Sequence, residues 1–336
     1  MAKNKITSAI IDDYMKKWSH LPSLTLAKKI YNENVGAFND VERVRSLIRI
    51  RKGAAGIKQR KTKEDKTYFT EKAIEKLTLE DIDEGIDERE SDYIFAKSLE
   101  RMLVISDIHI PYHNAPALKK ALEYGKEKNI DSILINGDFI DFAPLSYFTK
   151  DPYTKMNLSS DLDMTRKILQ IIRNTFPNIP IYYKHGNHED WLEKYLMNKA
   201  PELLDMNEFK LRTLLKFGEL KISEISSYAM MKFGKLNIIH GHELKSTLRS
   251  VNPARTLYLK TKKSTLVAHH HVTSEHTESD IDGQITTCWS IGCLSQLKPK
   301  YAGLDSKYNL GFAYIQKTKD GNFAVSNKRI INGEVM

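Results

Sequence analysis

Cysteine is nearly absent: the 336 residues hold two, Cys288 and Cys293. Their C-x4-C spacing lacks the second pair that a thiolate zinc site needs, so they read as buried reduced thiols. Long apolar runs are also missing. Nothing approaches the roughly 18 uninterrupted apolar residues of a membrane span, and MAKNKITSAI at the N-terminus carries charge without the apolar stretch of a signal peptide. A membrane-spanning helix is excluded, and a cytoplasmic protein is expected. Internal repeats and low-complexity tracts are missing as well.

What is present is a globular composition, with 41% hydrophobic residues, a mean hydropathy of −0.46 and a formal charge of +9. At roughly 100 to 200 residues per domain the length suggests two domains, with enough core that stability does not demand a metal. The charge is uneven. Residues 1–78 hold 18 of the 52 lysines and arginines, whereas residues 79–100, LEDIDEGIDERESDYIFAKSLE, hold nine acids and two bases. The reading is a basic domain at 1–78, an acidic linker at 79–100 and a larger domain at 101–336.

In the basic part, Leu24 to Tyr31 alternates apolar and polar residues at helical spacing, and a turn follows around Gly36. A second helix is predicted from about Val41 to Lys52, with Asn39 and Glu42 as a capping box and Gly53 as its stop. Val41, Val44, Leu47 and Ile48 share one face. Arg43, Arg45, Arg49 and Arg51 lie largely elsewhere, followed by Lys52 and the basic tail Lys58 to Lys66. This small all-helical unit is helix-turn-helix-like, and Arg43, Arg45, Arg49, Arg51 and Lys52 are its candidate nucleic-acid contacts. Docking to a protein and simple solvation are the alternatives.

From residue 101 short β-rich runs alternate with amphipathic helices: Met102 to Ser106, Ala115 to Lys128, Ser132 to Asn136. That is the grammar of βαβ units. Pro180 to Lys184 is a further strand, residues 191–217 a helical insertion, and Phe233-Gly234-Lys235 a hairpin turn. Gln284 to Ser290, Phe312 to Gln316 and Phe323 to Ser326 complete the strands, the last two joined by a turn at Lys319 to Asn322.

Ten of the eleven histidines fall between residues 109 and 276, mostly just after predicted strands and beside Asp, Asn and Gly. The order is Asp107-x-His109, Gly137-Asp138-x-x-Asp141, Gly186-Asn187-His188-Glu189, His240-Gly241-His242 and His269-x-His271. Imidazole nitrogen and carboxylate oxygen suit divalent ions such as Zn, Mn or Fe, strand ends can gather such residues, and an Asp can bridge two ions. Each block alone is weak, since a lone D-x-H is background and a Gly-Asp pair usually marks a turn. Five in register point to two metal ions.

These blocks, spread over roughly residues 101–275, resemble the calcineurin-like metallophosphoesterase superfamily. HGNHED followed by WLEKYL, with GCLSQLKPKYAG and GFAYIQ, is similar to a subgroup often encoded by bacteriophages. The resemblance implies an α/β four-layer core of two mixed β-sheets flanked by helices, with metals at the carboxyl ends of the strands. It implies that Asp107, His109 and His271 hold one ion, that Asn187, His240 and His269 hold the other, and that Asp138 bridges them. The ions would be Mn, or Zn, Fe or Ni. His188 would stand beside the substrate as proton donor or transition-state stabiliser, so that Asp138, Asn187 and His188 form the catalytic set. Asp141 and Glu189 would sit behind the ligands and fix imidazole tautomers. His242 and His113 would touch substrate or hydrogen-bond nearby, while His185 stays ambiguous and Trp191 reads as a packing residue.

Two positions depart from the family pattern. Ala268 replaces the usual Gly of the last block, which implies an adjusted loop but no lost ligand. Phe142 stands where phosphoprotein phosphatases of the superfamily carry a phosphate-clamping Arg, which argues against a protein phosphatase. The implied reaction is phosphoester hydrolysis by metal-activated water, with nucleic acid or a nucleotide as expected substrate. The alternatives are a phosphomonoesterase or small-nucleotide hydrolase with a partner-binding N-terminal domain, and a non-catalytic nucleic-acid-binding protein.

Overall fold

The computed structural model describes residues 2–53, 90–148, 157–244, 251–299 and 306–336. The basic tail at 58–66 and the acidic run at 79–89 lie outside the described residues. The chain divides into two compact units, residues 1–87 and 88–336. Among the described residues no helix is long and apolar enough to cross a membrane.

Among the described residues the first unit contains three helices, Ala2–Lys17, Ser23–Glu33 and Val41–Arg51. The first was not anticipated, although Ile10, Ile11, Tyr14, Met15 and Trp18 recur at helical spacing and join the same core as Leu26, Ile30, Val44 and Ile48. The cap of the third helix also differs from expectation. Asp40, not Asn39, holds the extended backbone at the helix entry, and its Oδ1 accepts the Arg43 N–H at 2.6 Å. Glu42 does not close a capping box; it pairs with Arg45 at 3.1 Å.

In the second unit thirteen strands are described, in two sheets. The seven-stranded sheet runs in the order β13 (Glu334–Val335), β12 (Phe323–Ile331), β11 (Gly311–Lys317), β2 (Arg101–Ile105), β3 (Ser132–Asn136), β4 (Ile181–Lys184) and β5 (Ile222–Ile225). Strands β2 to β5 are parallel, and β11 to β13 are antiparallel additions. The six-stranded sheet runs β1 (Tyr93–Ile94), β6 (Met231–Phe233), β7 (Leu236–Ile239), β8 (Thr265–Val267), β10 (Ile285–Ser290) and β9 (Ser274–Ser279), with β7, β8 and β10 parallel.

Alternation along the strands builds four layers. Leu103, Ile105, Ile133, Ile135, Ile181 and Tyr183 pack with Ala117 and Ala121 of the helix Ala115–Glu127 and with Leu169 and Ile172 of the helix Leu158–Thr175. Their neighbours Met102, Val104, Leu134 and Tyr182 meet Phe233, Leu236, Ile238 and Leu266 of the other sheet. Ile239, Val267 and Cys288 on that sheet's far side pack on Ala254 and Leu257 of the helix Pro253–Thr261. The central parallel strands are therefore covered on both faces, which is why β2 and β3 read as nearly unbroken apolar runs.

Residues 90–100, expected as linker, belong to the second unit. β1 pairs with β6, Asp92 binds Lys232 at 2.6 Å, and the Phe95 ring lies 4.8 Å from Tyr182. The insertion at 191–217 is helical but broken. It opens with the helix Asp190–Lys199, continues through 3-10 turns at Pro201–Leu203 and Asn207–Phe209, and ends in single turns at Leu211–Leu214 and Phe217–Leu220. Leu211, Leu215, Phe217 and Leu220 are buried in the helix-facing core, so most of the insertion completes that layer.

Losing the N-cap acceptor costs a helix about 1 kcal/mol. Asp40→Ala should speed amide hydrogen exchange between residues 44 and 50 by roughly fivefold, whereas Asn39→Ala should leave it within error; equal effects would reassign the cap.

Candidate metal centre

Each of the five blocks starts within three residues of the carboxyl end of a parallel strand: β2 before Asp107, β3 before Asp138, β4 before Asn187, β7 before His240 and β8 before His269. Because β2, β3 and β4 are parallel neighbours in one sheet and β7 and β8 in the other, the turns leave the sandwich along one edge. Asp107, His109, Asp138, His269 and His271 all have φ between 51° and 62°. For residues with a Cβ this left-handed conformation costs about 1–3 kcal/mol each and persists where the surroundings over-determine it. Here the surroundings do. Asp107 N donates to Gly137 O at 3.2 Å, His109 N to Asp138 O at 3.0 Å, and His269 N to the Asp107 Oδ2 at 3.1 Å.

The side chains converge in two triples that could each hold a cation, Asp107 with His109 and His271, and Asp138 with His240 and His269; a third, His109 with Asp138 and His188, overlaps them. His271 Nε2 lies 3.2 Å from both Asp107 Oδ1 and His109 Nε2, and His240 Nε2 lies 3.2 Å from Asp138 Oδ2. Asp107 Oδ1, Asn187 Oδ1 and His240 Nε2 are among the buried polar atoms that have no hydrogen-bond partner, as are His271 Nδ1, His242 Nδ1 and His113 Nδ1. Orphaned buried acceptors are rare without a reason. The mixed nitrogen and oxygen set suits first-row divalent ions, so these residues fit divalent metals, and the overlapping triple of His109, Asp138 and His188 links the two groups.

The protein holds the far side of the rings. His109 Nδ1 bonds Asp141 Oδ1 at 2.9 Å, His188 Nδ1 donates to Asp141 O at 2.7 Å, and His240 Nδ1 donates to Asn136 O at 2.6 Å. With Nδ1 engaged, Nε2 is left for the centre. Asp141 thus stands behind His109 and His188, whereas the hydrogen bonds of Glu189 go elsewhere. Its carboxylate accepts the N–H groups of Gly186 (2.8 Å), Asp138 (2.9 Å) and Phe139 (2.9 Å) and the Tyr183 hydroxyl (2.7 Å), tying the second block to the third. Gly186 cannot carry a side chain there, since a Cβ would meet Asp138 N at 2.6 Å as well as the Asp138 carboxylate.

A second tie was missed by the sequence reading. Fully buried Lys184 binds Glu243 at 3.0 Å and the Ser226 carbonyl at 3.1 Å, and Glu243 accepts His240 N (3.0 Å) and Gly241 N (2.6 Å). A lysine closing an otherwise apolar strand was the available signal, because a buried ammonium requires a buried partner.

The remaining expected residues scatter. His242 hydrogen-bonds Ser227 at 2.7 Å, His185 pairs with Glu224 at 2.9 Å, and His113 bridges backbone to Ser295; none joins the ligand triples. Phe142 is fully buried in the helix-facing core, so the position of a phosphate-clamping Arg is filled by packing. Ala268 is buried and bonds His240 O at 2.9 Å, which keeps the last block in place. Of the five basic candidates in the first unit, Arg51 binds Asp12 at 2.6 Å, Lys52 binds the carbonyl of Leu21 at 2.9 Å, and Arg45 pairs with Glu42; these tie the helices or their surface, and Arg43 and Arg49 stay exposed.

Burial opposes charge on His188 and His240, but the Asp138 carboxylate, with Asp141 for His188, holds His188 at about 9 and His240 at about 10. Burial and the neighbouring His240 charge push His269 down to about 3. Despite burial, hydrogen bonds from His109 and His188 hold Asp141 at about 2.

The match of residues 100–290 to the calcineurin-like phosphoesterase family model completes this picture. The chain belongs to the calcineurin-like phosphoesterase family and is a metal-dependent phosphoester hydrolase. It is 24% identical over 233 residues to the Gene 54 protein of Mycobacterium phage L5, covering 66% of this chain and 89% of that protein. A 64-residue stretch is 33% identical to sphingomyelin phosphodiesterase 1 of Caenorhabditis elegans, 19% of this chain and 10% of that one. Among solved structures, a dimetal phosphatase from Danio rerio superposes with a TM-score of 0.32 at 9% identity, covering 65% of this chain and 92% of that one.

With no ion bound, Asp138 raises the pKa of His240 to about 10 and Asp107 raises that of His271, both despite burial, and so favour the protonated imidazoles. Ligands must shed protons to take a metal. Titrating Mn into EDTA-treated protein at pH 7 should release protons, read as a heat that varies with buffer ionisation enthalpy, and affinity should fall as pH falls; a buffer-independent heat would mean unprotonated histidines.

Proposed function

We propose that the chain is a dinuclear phosphodiesterase acting on nucleic acid or nucleotides. The observation that carries the reading is the two ligand triples, linked through the overlapping set His109, Asp138 and His188, with His188 Nε2 3.9 Å from the Asp138 carboxylate. In this reading Asp107, His109 and His271 would hold one ion, and Asn187, His240 and His269 the other, with Asp138 shared. The ions, when bound, would supply Lewis acidity and lower the pKa of a water so that its hydroxide form is available to attack phosphorus at neutral pH.

The chain's own residues supply the rest. Asp138 sets the separation of the two sites, and the N–H of His188 holds Asp138 Oδ1 at 3.0 Å. His188, its Nδ1 committed to the Asp141 carbonyl, presents Nε2 as a proton donor to the departing oxygen or a hydrogen-bond donor to the phosphoryl group. No protein nucleophile is required.

Three observations favour a diester and a nucleic-acid substrate. Position 142 offers packing in place of an arginine that would favour the extra charge of a monoester. The stretch shared with the C. elegans protein belongs to one named a phosphodiesterase. Arg43 and Arg49 stand exposed on a basic unit suited to polyanions. A phosphomonoesterase is the second reading.

Hydrolysis of bis-p-nitrophenyl phosphate, p-nitrophenyl phosphate and labelled single- and double-stranded DNA, each with Mn, Ni, Zn or Mg, separates them. Diester or DNA cleavage lost in Asp138→Ala is the expected result; monoester turnover alone would move the assignment to the phosphatase. His188→Ala should retain both metals by elemental analysis yet slow turnover by about 10²–10⁴, and loss of metal in that variant would make His188 a ligand.

A further inference from the structure

One aromatic pair, Tyr147 and Phe148, belongs to neither a core cluster nor the ligand triples, and it adjoins Trp191 at the rim of the helix-facing core. Tyr147 and Phe148 are 80% and 58% exposed, and their rings lie 4.3 Å apart, tilted by 32°. Both present edges to Trp191, at 6.4 and 6.0 Å. Trp191 is buried and lies over His188 at 3.9 Å with 35° between the planes. An unbroken run of rings therefore leads from the imidazole beside Asp138 to an exposed pair one side chain farther out.

The pair is anchored to the centre. It follows the turn Ala143–Leu145, which starts at Phe142 directly after Asp141, and Leu145 N bonds Phe142 O at 2.8 Å. The loop that orients His109 and His188 thus also places Tyr147 and Phe148. Trp191 is enclosed between His188 and this pair, so it positions the imidazole and leaves the outer rings as the available surface.

We propose that Tyr147 and Phe148 form a stacking platform for an unpaired base of the substrate whose phosphate lies at the metal centre. The inference rests on the phosphodiesterase reading above and names its substrate class. Every base has a π-face, and stacking on aromatic side chains is a sequence-tolerant way to hold single strands and nucleotides. Bases inside a duplex have their faces covered by neighbours, so the platform selects nucleotides, single strands or frayed ends. A base attached to the scissile phosphate would extend past His188 onto the rings, which explains why two large apolar groups remain exposed beside a polar centre.

The test compares ligands with and without a base in the full-length, Mn-loaded protein and in Tyr147→Ala/Phe148→Ala. Calorimetry with deoxyadenosine 5′-monophosphate and inorganic phosphate gives one ratio of affinities; hydrolysis of the p-nitrophenyl esters of thymidine 5′-phosphate and methyl phosphate gives one ratio of kcat/KM. Both preferences for the base-bearing ligand should fall roughly tenfold in the variant, and Tyr147→Phe should retain them. Unaltered ratios in the double variant would overturn the platform. If the wild type hydrolyses neither ester, the phosphodiesterase reading fails, and the calorimetric ratio decides the platform by itself: loss of the deoxyadenosine preference keeps it, retention removes it.

Discussion

The Asp138 carboxylate is enclosed in the protein and faces imidazoles and a backbone N–H, with His240 at 3.2 Å, His109 and His188 at 3.9 Å and the His188 amide at 3.0 Å. Burial pushes its pKa up, and the surrounding histidines hold it well below the usual carboxylate range. A charge so placed needs either protonated imidazoles or cations, and the same imidazoles cannot serve both purposes at once. The left-handed backbone at Asp138, the glycine at 186 and the Glu189 carboxylate on the Asp138 N–H together hold the backbone that presents that one group.

The placement draws on both sheets. The first three blocks leave β2, β3 and β4, and the last two leave β7 and β8. Much of this was legible in the chain. Covered parallel strands are apolar on both faces, so Ser132–Asn136 stands out without any tertiary knowledge, and each block follows its strand locally. What was not legible depends on partners far away in sequence. Glu189 acts on amides 49 to 51 residues upstream, and Lys184 meets Glu243 from the turn after β7. The cap of the third helix turned on a single position, because Asn39 and Asp40 are both good caps and only the backbone entering Val41 chooses between them. Arg51 and Lys52 looked like surface charge because their acceptors, Asp12 and the carbonyls of Ser19 and Leu21, belong to a helix and a turn the pattern did not reveal.

The outer surfaces of the imidazoles show how the centre is prepared before any ion binds. His109 and His240 have Nδ1 committed to the protein and Nε2 directed inward, so the ligand geometry is set by folding. Ions of similar size and preference can then occupy it in place of one another, with availability deciding among them. With Phe142 packed into the core, position 142 adds no positive charge to a bound phosphate. Under the platform proposed above, discrimination would fall to the side of His188 where Trp191 lies over the ring, and a centre that does not clamp the phosphate through position 142 would distinguish its substrates by what the phosphate carries.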